Sequence, residues 1–567
     1  MNAMNEKTAL PDEVPVLIAG AGPVGMVLAI LLARRGVRSL VLEKRERINV
    51  LPRARGINVR SVEIMTQLDL GEELRADALP ALWSRSFVYT ERMAGELVGI
   101  MPGNMAPGSS AAFSPCEYRI AAQDKLDPML YRKALAQGCD IRLRHEVTAF
   151  RDEGNGVVAT VATEGGGTRE VRAQWLVAAD GGASRLRAAA GIGHAHHATY
   201  RSFVATHFHA DLSRFTQGRE GALIWTLAPG VVGLFHPLDG KSAWAGHIQY
   251  DPTREQPHTW SDADVVRRLQ AMIGAPEGQA PEIDLHKHYT FTLTASVAER
   301  FRQGRLLLAG DAAHCTLPHG GWGLNTGIQS AHNLAWKLAA VLGGEAPAAL
   351  LDTYDAERRE AARRNCEFAE VNAGHTEKLM RALRESSGPE ERRRIVEGSR
   401  QYGNWTGLDL GIHYDGSAGR GAFVPDDIEA PAVENPVIDY VPHAKPGWRA
   451  PHFWGRTAQE RIRVSSVMLF DGGFTLLAGP QGQAWVEAAG ALAGVGSLPA
   501  IKPWRVAPDG DLVPEAMDFC ALYGIGGDGA VLVRPDGHVA GRAIGGAPDA
   551  KLALHEMLAR TLCHDQA

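Results

Sequence analysis

Residues 20–25 read Gly-Ala-Gly-Pro-Val-Gly, directly after the apolar run "VPVLIA" and directly before "MVLAILLARRG"; the next apolar run, "RSLVLEK", closes on Glu43 and Lys44. A G-x-G-x-x-G loop between a strand and a helix lets backbone approach a pyrophosphate, with free helix N–H groups facing the anion, and an acidic residue at the end of the second strand can accept from a ribose hydroxyl. The reading is dinucleotide binding, with FAD and NAD both open. Gly524 to Gly529 repeats the glycine spacing but runs into "AVLVRPDG"; without a helix to supply a dipole it reads as a turn. Two further apolar runs end on Asp180-Gly181 and Gly310-Asp311. A carboxylate there can accept from sugar or ribityl hydroxyls, or cap the following helix; two such aspartates far apart in sequence suggest distant segments converging on one extended ligand.

The elements that position these residues follow from the apolar pattern. Residues 14–45 read as one βαβ unit. The stretch "GALIWTLAPGVVGLFHPLDGKSAWAGHIQY" breaks into short aromatic and β-branched runs between Gly/Pro/Asp turns, predicting an antiparallel sheet between Tyr200 and Tyr250. A helix from Asn325 carries Ile328, Ala331, Ala335, Leu338 and Leu342 at helical spacing, and a long charged helix follows. After a Gly/Pro-rich connection, the last 120 or so residues alternate strand and helix.

Composition limits the function. At 567 residues with a formal charge of −6, the chain exceeds one hydrophobic core and offers no basic field for nucleic acid. Six cysteines without a CxxC pair indicate neither a zinc site nor a dithiol motif, and suit a reducing cytoplasm. The start "MNAMNEKTALPDEV" lacks an apolar signal core, and the longest apolar run, Met26 to Ala33, is too short for a membrane span. The "HAHH" at 194–197 has no carboxylate or cysteine beside it; it reads as a solvated loop, and no metal is expected.

The motifs "GAGPVG", "PRARGINVRSVE", "AADGGASRLR" and "GDAAHCTLPHGGWGLNTGIQSAHNLAWKLA", in this order, resemble the single-component FAD-dependent aromatic hydroxylases, the class A flavoprotein monooxygenases that include p-hydroxybenzoate hydroxylase and phenol hydroxylase. The C-terminal region resembles the thioredoxin-like domain of phenol hydroxylases and polyketide aromatic hydroxylases, with Gly541 where an aromatic is usual. The resemblance implies an α/β protein. A Rossmann-like FAD-binding domain occupies 1–190 and 300–395, and a substrate-binding antiparallel sheet is inserted at 191–299 with part of 80–120. A linker at 396–445 leads to a thioredoxin-like domain without CxxC at 446–567, for which packing or a homodimer contact is the implied role. Gly20, Gly22, Pro23, Val24 and Gly25 would seat the pyrophosphate, and Glu43 with Lys44 would hold the adenosine ribose. Arg53 and Gln123 would reach the phosphate or ribityl region, and Asp311 the ribityl chain. Asp180 and Gly181, with Arg187, resemble the segment that handles FAD and NAD(P)H. Pro318, Gly321, Gly323, Leu324 and Asn325 would lie against the isoalloxazine, where a glycine-rich helix start puts positive dipole beside the negative charge of reduced flavin. Ser330 stands where an aspartate is common, and Trp322 where the residue beside the flavin loop is usually smaller or polar.

The family reaction consumes NADPH or NADH and O2 and hydroxylates a phenolic or polycyclic aromatic through a flavin C4a-hydroperoxide, inside an apolar pocket that shields it from water. Trp225, Leu227 and Phe235 are expected to line the substrate side, with Trp322 beside the flavin. No arginine occurs between Arg219 and Arg254, so a lipophilic phenol without a carboxylate clamp is inferred. His236 is the candidate proton acceptor. Arg55, the second candidate catalytic residue, falls near the position where phenol hydroxylase carries an acidic catalytic residue, so that base does not transfer. Baeyer–Villiger, epoxidising and dehydrogenating flavoenzymes share the scaffold, as does a non-catalytic flavin-binding protein; the WxWxIP signature of halogenases is absent.

Overall fold

The computed structural model describes residues 9–103, 105, 108–230, 232–415, 421–496 and 498–564. The extreme N-terminus expected to lack a signal core, Val231 of the expected substrate stretch, and part of the expected linker lie outside these.

The first layer is a mainly parallel sheet with strands in the order Arg302–Gln303, Leu306–Leu308, Thr168–Ala178, Glu13–Ala19, Ser39–Glu43 and Asp140–Leu143. Val, Ile and Leu dominate its central strands because both faces are covered, and Glu13–Ala19 is fully buried from Val16 to Ile18. The register pairs Ala19 with Ala178 and Ala178 with Leu308. Three strands therefore end side by side, and the loops that follow them open on one edge. The helix Pro23–Arg34 starts with proline at its first turn, where a missing N–H costs nothing. It packs against the helix Trp322–Leu342. A Cβ at Gly327 would stand 2.5 Å from Val24 Cγ2, so only glycine allows this approach.

The second layer is an eight-stranded sheet in the order His314–Cys315, Asp284–Ala298, His194–His209, Ala243–Tyr250, Gly233–Pro237, Leu223–Thr226, Ser86–Thr90 and Leu97–Pro102. It is antiparallel apart from one pair, Leu223–Thr226 beside Ser86–Thr90, which runs parallel; strands this far apart in sequence need no hairpin to connect them. The "HAHH" segment is not a loop. It starts the strand His194–His209, paired with Asp284–Ala298, and its residues alternate between half-buried and exposed as on a sheet with one wet face.

In the C-terminal domain the strands Phe474–Ala478, Ile501–Arg505, Ala530–Val533 and Val539–Ala543 form a sheet ordered second, first, third, fourth, with the first two parallel and the rest antiparallel. That is thioredoxin-like order. The helices Gln483–Leu492 and Ala550–Thr561 share one core with it. Gly524 caps the helix Phe519–Tyr523 in the left-handed region at φ 61°, the turn expected for the second glycine repeat. All six cysteines are unpaired, and no described helix is long and apolar enough to cross a membrane.

This domain docks through the turn that contains Arg534, Asp536 and His538. Arg534 Nη1 donates to Glu357 Oε1 at 2.8 Å, Lys337 Nζ to Glu357 Oε2 at 2.7 Å, and Asn333 Nδ2 to Asp536 Oδ2 at 3.0 Å. A second buried cluster joins Arg60 and Arg449 to Glu63, and Arg60 also donates to the Asp536 carbonyl at 2.6 Å. The cations around Glu357 hold its carboxyl down to about 2 against the opposing desolvation. Replacing Glu357 by Gln leaves Lys337 buried without its carboxylate and Arg534 with Asp536 alone, a loss on the order of 3–5 kcal/mol. Glu357→Gln is therefore expected to lower the denaturant midpoint of both domains together, read by chemical unfolding.

Candidate active site

One cavity of about 870 Å³ runs from the carboxyl edge of the parallel sheet to one face of the eight-stranded sheet. At its first end, Gly20 adopts φ +111°, and a Cβ there would lie 2.3 Å from the Ala179 carbonyl; at Gly25 it would lie 2.1 Å from the Gly20 carbonyl. These two glycines close the strand-to-helix turn. At Gly22 a Cβ would meet nothing within 4 Å, so this peptide faces open space at the helix N-terminus. Pro23, Val24, Glu43, Lys44, Arg53 and Gln123 line the same end. Glu43 Oε2 accepts from the Ala21 N–H and Oε1 from the Arg45 N–H, both at 3.0 Å, so the strand-end carboxylate also holds the glycine loop in shape.

Asp180, Gly181 and Asp311 line the middle of the cavity. Asp180 Oδ1 is buried without a hydrogen-bond partner, an acceptor that a buried site leaves open at a cost unless a ligand donates to it. Asp311 opens to the cavity yet is surrounded by protein, and that desolvation raises its carboxyl pKa, with Arg53 acting against it. Arg187 does not reach the cavity. Its Nη1 donates to the Gly182 and Ala312 carbonyls at 3.3 and 3.2 Å, tying the two aspartate loops together. Pro318, Gly321, Gly323 and Leu324 form the next wall, and the first-turn N–H groups of the helix that begins there have no intrahelical acceptor. Asn325 is turned away. Its Nδ2 donates to the Gly56 and Gly321 carbonyls at 2.9 and 2.6 Å and its Oδ1 accepts from the Asn58 N–H at 2.9 Å, so it pins the "PRARG" segment to the helix start. An open glycine peptide at a helix N-terminus, an unpartnered carboxylate oxygen and a second helix start fit the diphosphate, the hydroxylated chain and the ring edge of FAD.

At the sheet end the walls are Trp225, Leu234, Phe203, Phe291, His236 and His247. Three expected pocket residues lie elsewhere. Phe235 pairs with Ile224 while Trp225 pairs with Leu234; strand alternation sends Phe235 to the opposite face, against Phe208 at 6.3 Å. Leu227 follows the strand end, where its N–H bonds the Thr90 carbonyl at 3.0 Å, and it is buried beneath the sheet. Trp322 is buried behind the flavin-loop helix, its Nε1–H directed at Asp409 Oδ1 at 3.4 Å and its ring edge-on to Phe368 and Trp405.

The two expected catalytic residues meet. Arg55 Nη2 contacts His236 Nδ1, and Arg55 also donates to the Pro237 and Ala222 carbonyls, each at 3.2 Å. The other ring nitrogen of His236 lies 3.4 Å from His247 Nδ1. With both nitrogens engaged, and with desolvation first and Arg55 second holding its pKa well below the imidazole range, His236 is not the open proton acceptor that the sequence suggests. His247 is held down to about 3 by the same two causes, and burial lowers Arg55 to about 10. Sequence reasoning missed His247, Phe203 and Phe291; the signal was the alternation in "AWAGHIQY", where His247 pairs with Leu234.

Arginines do enter the cavity, from outside the stretch between Arg219 and Arg254. Arg55 is engaged as described, and Arg201 bonds Gln249 and Glu377. The structure also supplies what "HAHH" lacks in sequence: Cys366 and Glu370 from the helix Asp352–Glu385 approach His196, with His196 Nε2 3.0 Å from Glu370 Oε1. Tyr200 also donates to Glu370, and burial pushes the Cys366 thiol up to about 12, which keeps it protonated.

Residues 13–369 match the family described as FAD binding domain, and residues 443–564 the family described as aromatic-ring hydroxylase, C-terminal. The chain is 36% identical to aklavinone 12-hydroxylase RdmE of Streptomyces purpurascens, over 97% of this chain and 99% of that one. The structure of the flavin-dependent monooxygenase PieE in complex with FAD and substrate superposes with a TM-score of 0.89 at 30% identity, over 98% of this chain and 100% of that one. A ternary complex of aklavinone-11 hydroxylase with FAD and aklavinone gives 0.83 at 33% identity, with the same coverage.

The two glycine environments separate binding from folding. Gly22→Val, whose side chain enters open space, is expected to unfold like the parent but to retain FAD at least about tenfold more weakly, whereas Gly25→Ala is expected to lower the unfolding temperature even without FAD; fluorescence titration and thermal denaturation check both. A second outcome concerns pH. Asp409 is raised to about 7 by burial, against the donors Asn58 and Trp322. A carboxyl raised on folding stabilises fully only below its unfolded pKa of about 4, and that stability is lost as pH climbs through the folded value. Asp409→Asn is expected to flatten the fall in unfolding temperature between about pH 4 and pH 7.

Proposed function

The chain belongs to the single-component FAD-dependent aromatic hydroxylases, and we propose that it uses NADPH or NADH with O2 to hydroxylate a polycyclic phenol that carries no obligatory carboxylate. The observation that carries this is the continuity of one cavity from the dinucleotide edge to an aromatic sheet face whose arginines are already engaged.

Bound FAD would supply the redox chemistry, electron uptake from the reduced nicotinamide and activation of O2. The protein does the rest. Gly22 and the helix start at Pro23 would hold the diphosphate, Asp180 and Asp311 would accept from the hydroxylated chain, and the N–H groups of Gly323 and Leu324 would offer positive dipole at the ring edge. Trp225, Leu234, Phe203 and Phe291 exclude water from the reacting carbon and offer flat apolar contact to a fused-ring substrate; Phe203 and Phe291 stack at 5.7 Å with 22° between their planes. The aklavinone-bound neighbour supports a substrate of this bulk. The unpaired cysteines support a reducing, cytoplasmic setting.

The FAD-loaded protein is expected to consume O2 and reduced nicotinamide faster with hydroxyanthraquinones than alone, giving a product heavier by one oxygen. 4-Hydroxybenzoate is expected to be at least about a hundredfold poorer in kcat/KM, because at the sheet end of the cavity Arg55 and Arg201 are already engaged by other groups. Equal turnover of 4-hydroxybenzoate, or an ester product, would refute the reading.

A further inference from the structure

Arg55 sets the direction of a hydrogen-bond chain that ends in the cavity. A guanidinium has five donors and no acceptor. Its contact with His236 Nδ1 requires a lone pair on that nitrogen, so the single proton of the neutral ring sits on Nε2. That Nε2 lies 3.4 Å from His247 Nδ1, which must then accept, and the proton of His247 is left on its own Nε2. Among the described residues nothing bonds to this last nitrogen, and His247 lines the cavity with ring centroids 5.2 Å from Phe291 and 6.2 Å from Phe203. The aromatic neighbours can receive a flat ring, and the imidazole offers it one donor.

We propose that His247 Nε2–H is the group that binds the substrate's phenolic oxygen and favours its ionised form, with His236 as the positioning residue that fixes the tautomer and Arg55 as the cation that polarises the chain. This rests on the phenol reading above. The phenol proton leaves to solvent on binding, and no proton is transferred along the chain. A donor stabilises phenolate more than phenol, and a charge-assisted hydrogen bond is the stronger kind. The other titratable groups acting on the chain are Tyr118 and Asp124, both through Arg55. With the imidazoles held neutral and Arg55 charged, the chain keeps one protonation state across the neutral range.

The test uses the FAD-loaded protein and 2-hydroxyanthraquinone, whose visible absorption moves to longer wavelength on ionisation, followed by difference spectra against pH. The bound dye is expected to ionise about one pH unit below the free dye, roughly a tenfold gain in the ionised-to-neutral ratio. His247→Phe is expected to lose that gain, and His247→Gln, whose side-chain amide still donates, to keep most of it; both are checked for FAD content and unfolding temperature. An unchanged gain in His247→Phe overturns the assignment, as does equal loss in both variants. If the parent protein leaves the dye spectrum unperturbed, the phenol-binding reading itself falls, and this inference with it.

Discussion

The parallel register of three strands governs the rest of the molecule. With Ala19 beside Ala178 and Ala178 beside Leu308, the glycine loop and both aspartate loops leave the sheet at one height and face one cavity. Backbone bonds continue the ladder one residue past the strands, from Gly20 N to the Leu42 carbonyl, Ala179 N to Ala19 and Ala309 N to Ala178, at 2.7, 2.8 and 2.9 Å. A slip of one residue in any of these strands would turn its side chains to the other face and displace the loop that follows it. Register is held by the two-sided apolar burial of the strands and, at the loops, by Arg187, which bridges the segments after Asp180 and Asp311. The closeness of Gly20 to Ala179 and of Gly327 to Val24 then lets two helices start at the cavity wall.

What could be read without coordinates was chemistry fixed locally along the chain. The strand, glycine loop and helix are contiguous, so the dinucleotide edge was legible down to Gly22 and Glu43, and the two aspartates marked strand ends by themselves. What could not be read was which face of a strand meets the cavity. "GLFHP" contains both Leu234 and Phe235, and only the pairing of Trp225 with Leu234 says which of them points inward. Partners from distant elements were likewise hidden: Cys366 and Glu370 come to His196 from a helix, and Asp409 comes to Asn58 and Trp322 from the segment after the linker begins. Trp322 read as a wall of the flavin site because its neighbours in sequence are; on a helix the next residue points about 100° away.

The C-terminal domain is attached by charge as much as by apolar area. Glu357, Lys337, Arg534 and Asp536 are fully removed from water, where ion pairs add little net stability compared with apolar packing but tolerate no missing partner. Such a contact specifies one docking geometry. Trp336 adds an apolar wedge edge-on to Phe474 at 5.8 Å. Both Trp336 and Lys337 belong to the helix whose first turn lines the cavity, so the domain braces the far end of the element that presents N–H groups to the ligand. Without CxxC it has no dithiol chemistry to offer, and its structural contribution is this brace.

The polar design of the substrate end follows from its dryness. Burial at the position of Arg55 disfavours any charged group. A cation keeps its charge there, because Arg55 falls only to about 10, and its field favours an anion at the far end of the two imidazoles. The imidazoles carry that preference without bringing a second charge into the cavity. They do so as neutral groups because a protonated ring next to Arg55 would be repelled as well as desolvated, both of which lower His236 and His247. The site therefore activates a phenol by favouring its ionised form, not by supplying a base, and the aromatic walls that exclude water make that preference larger than it would be in solvent.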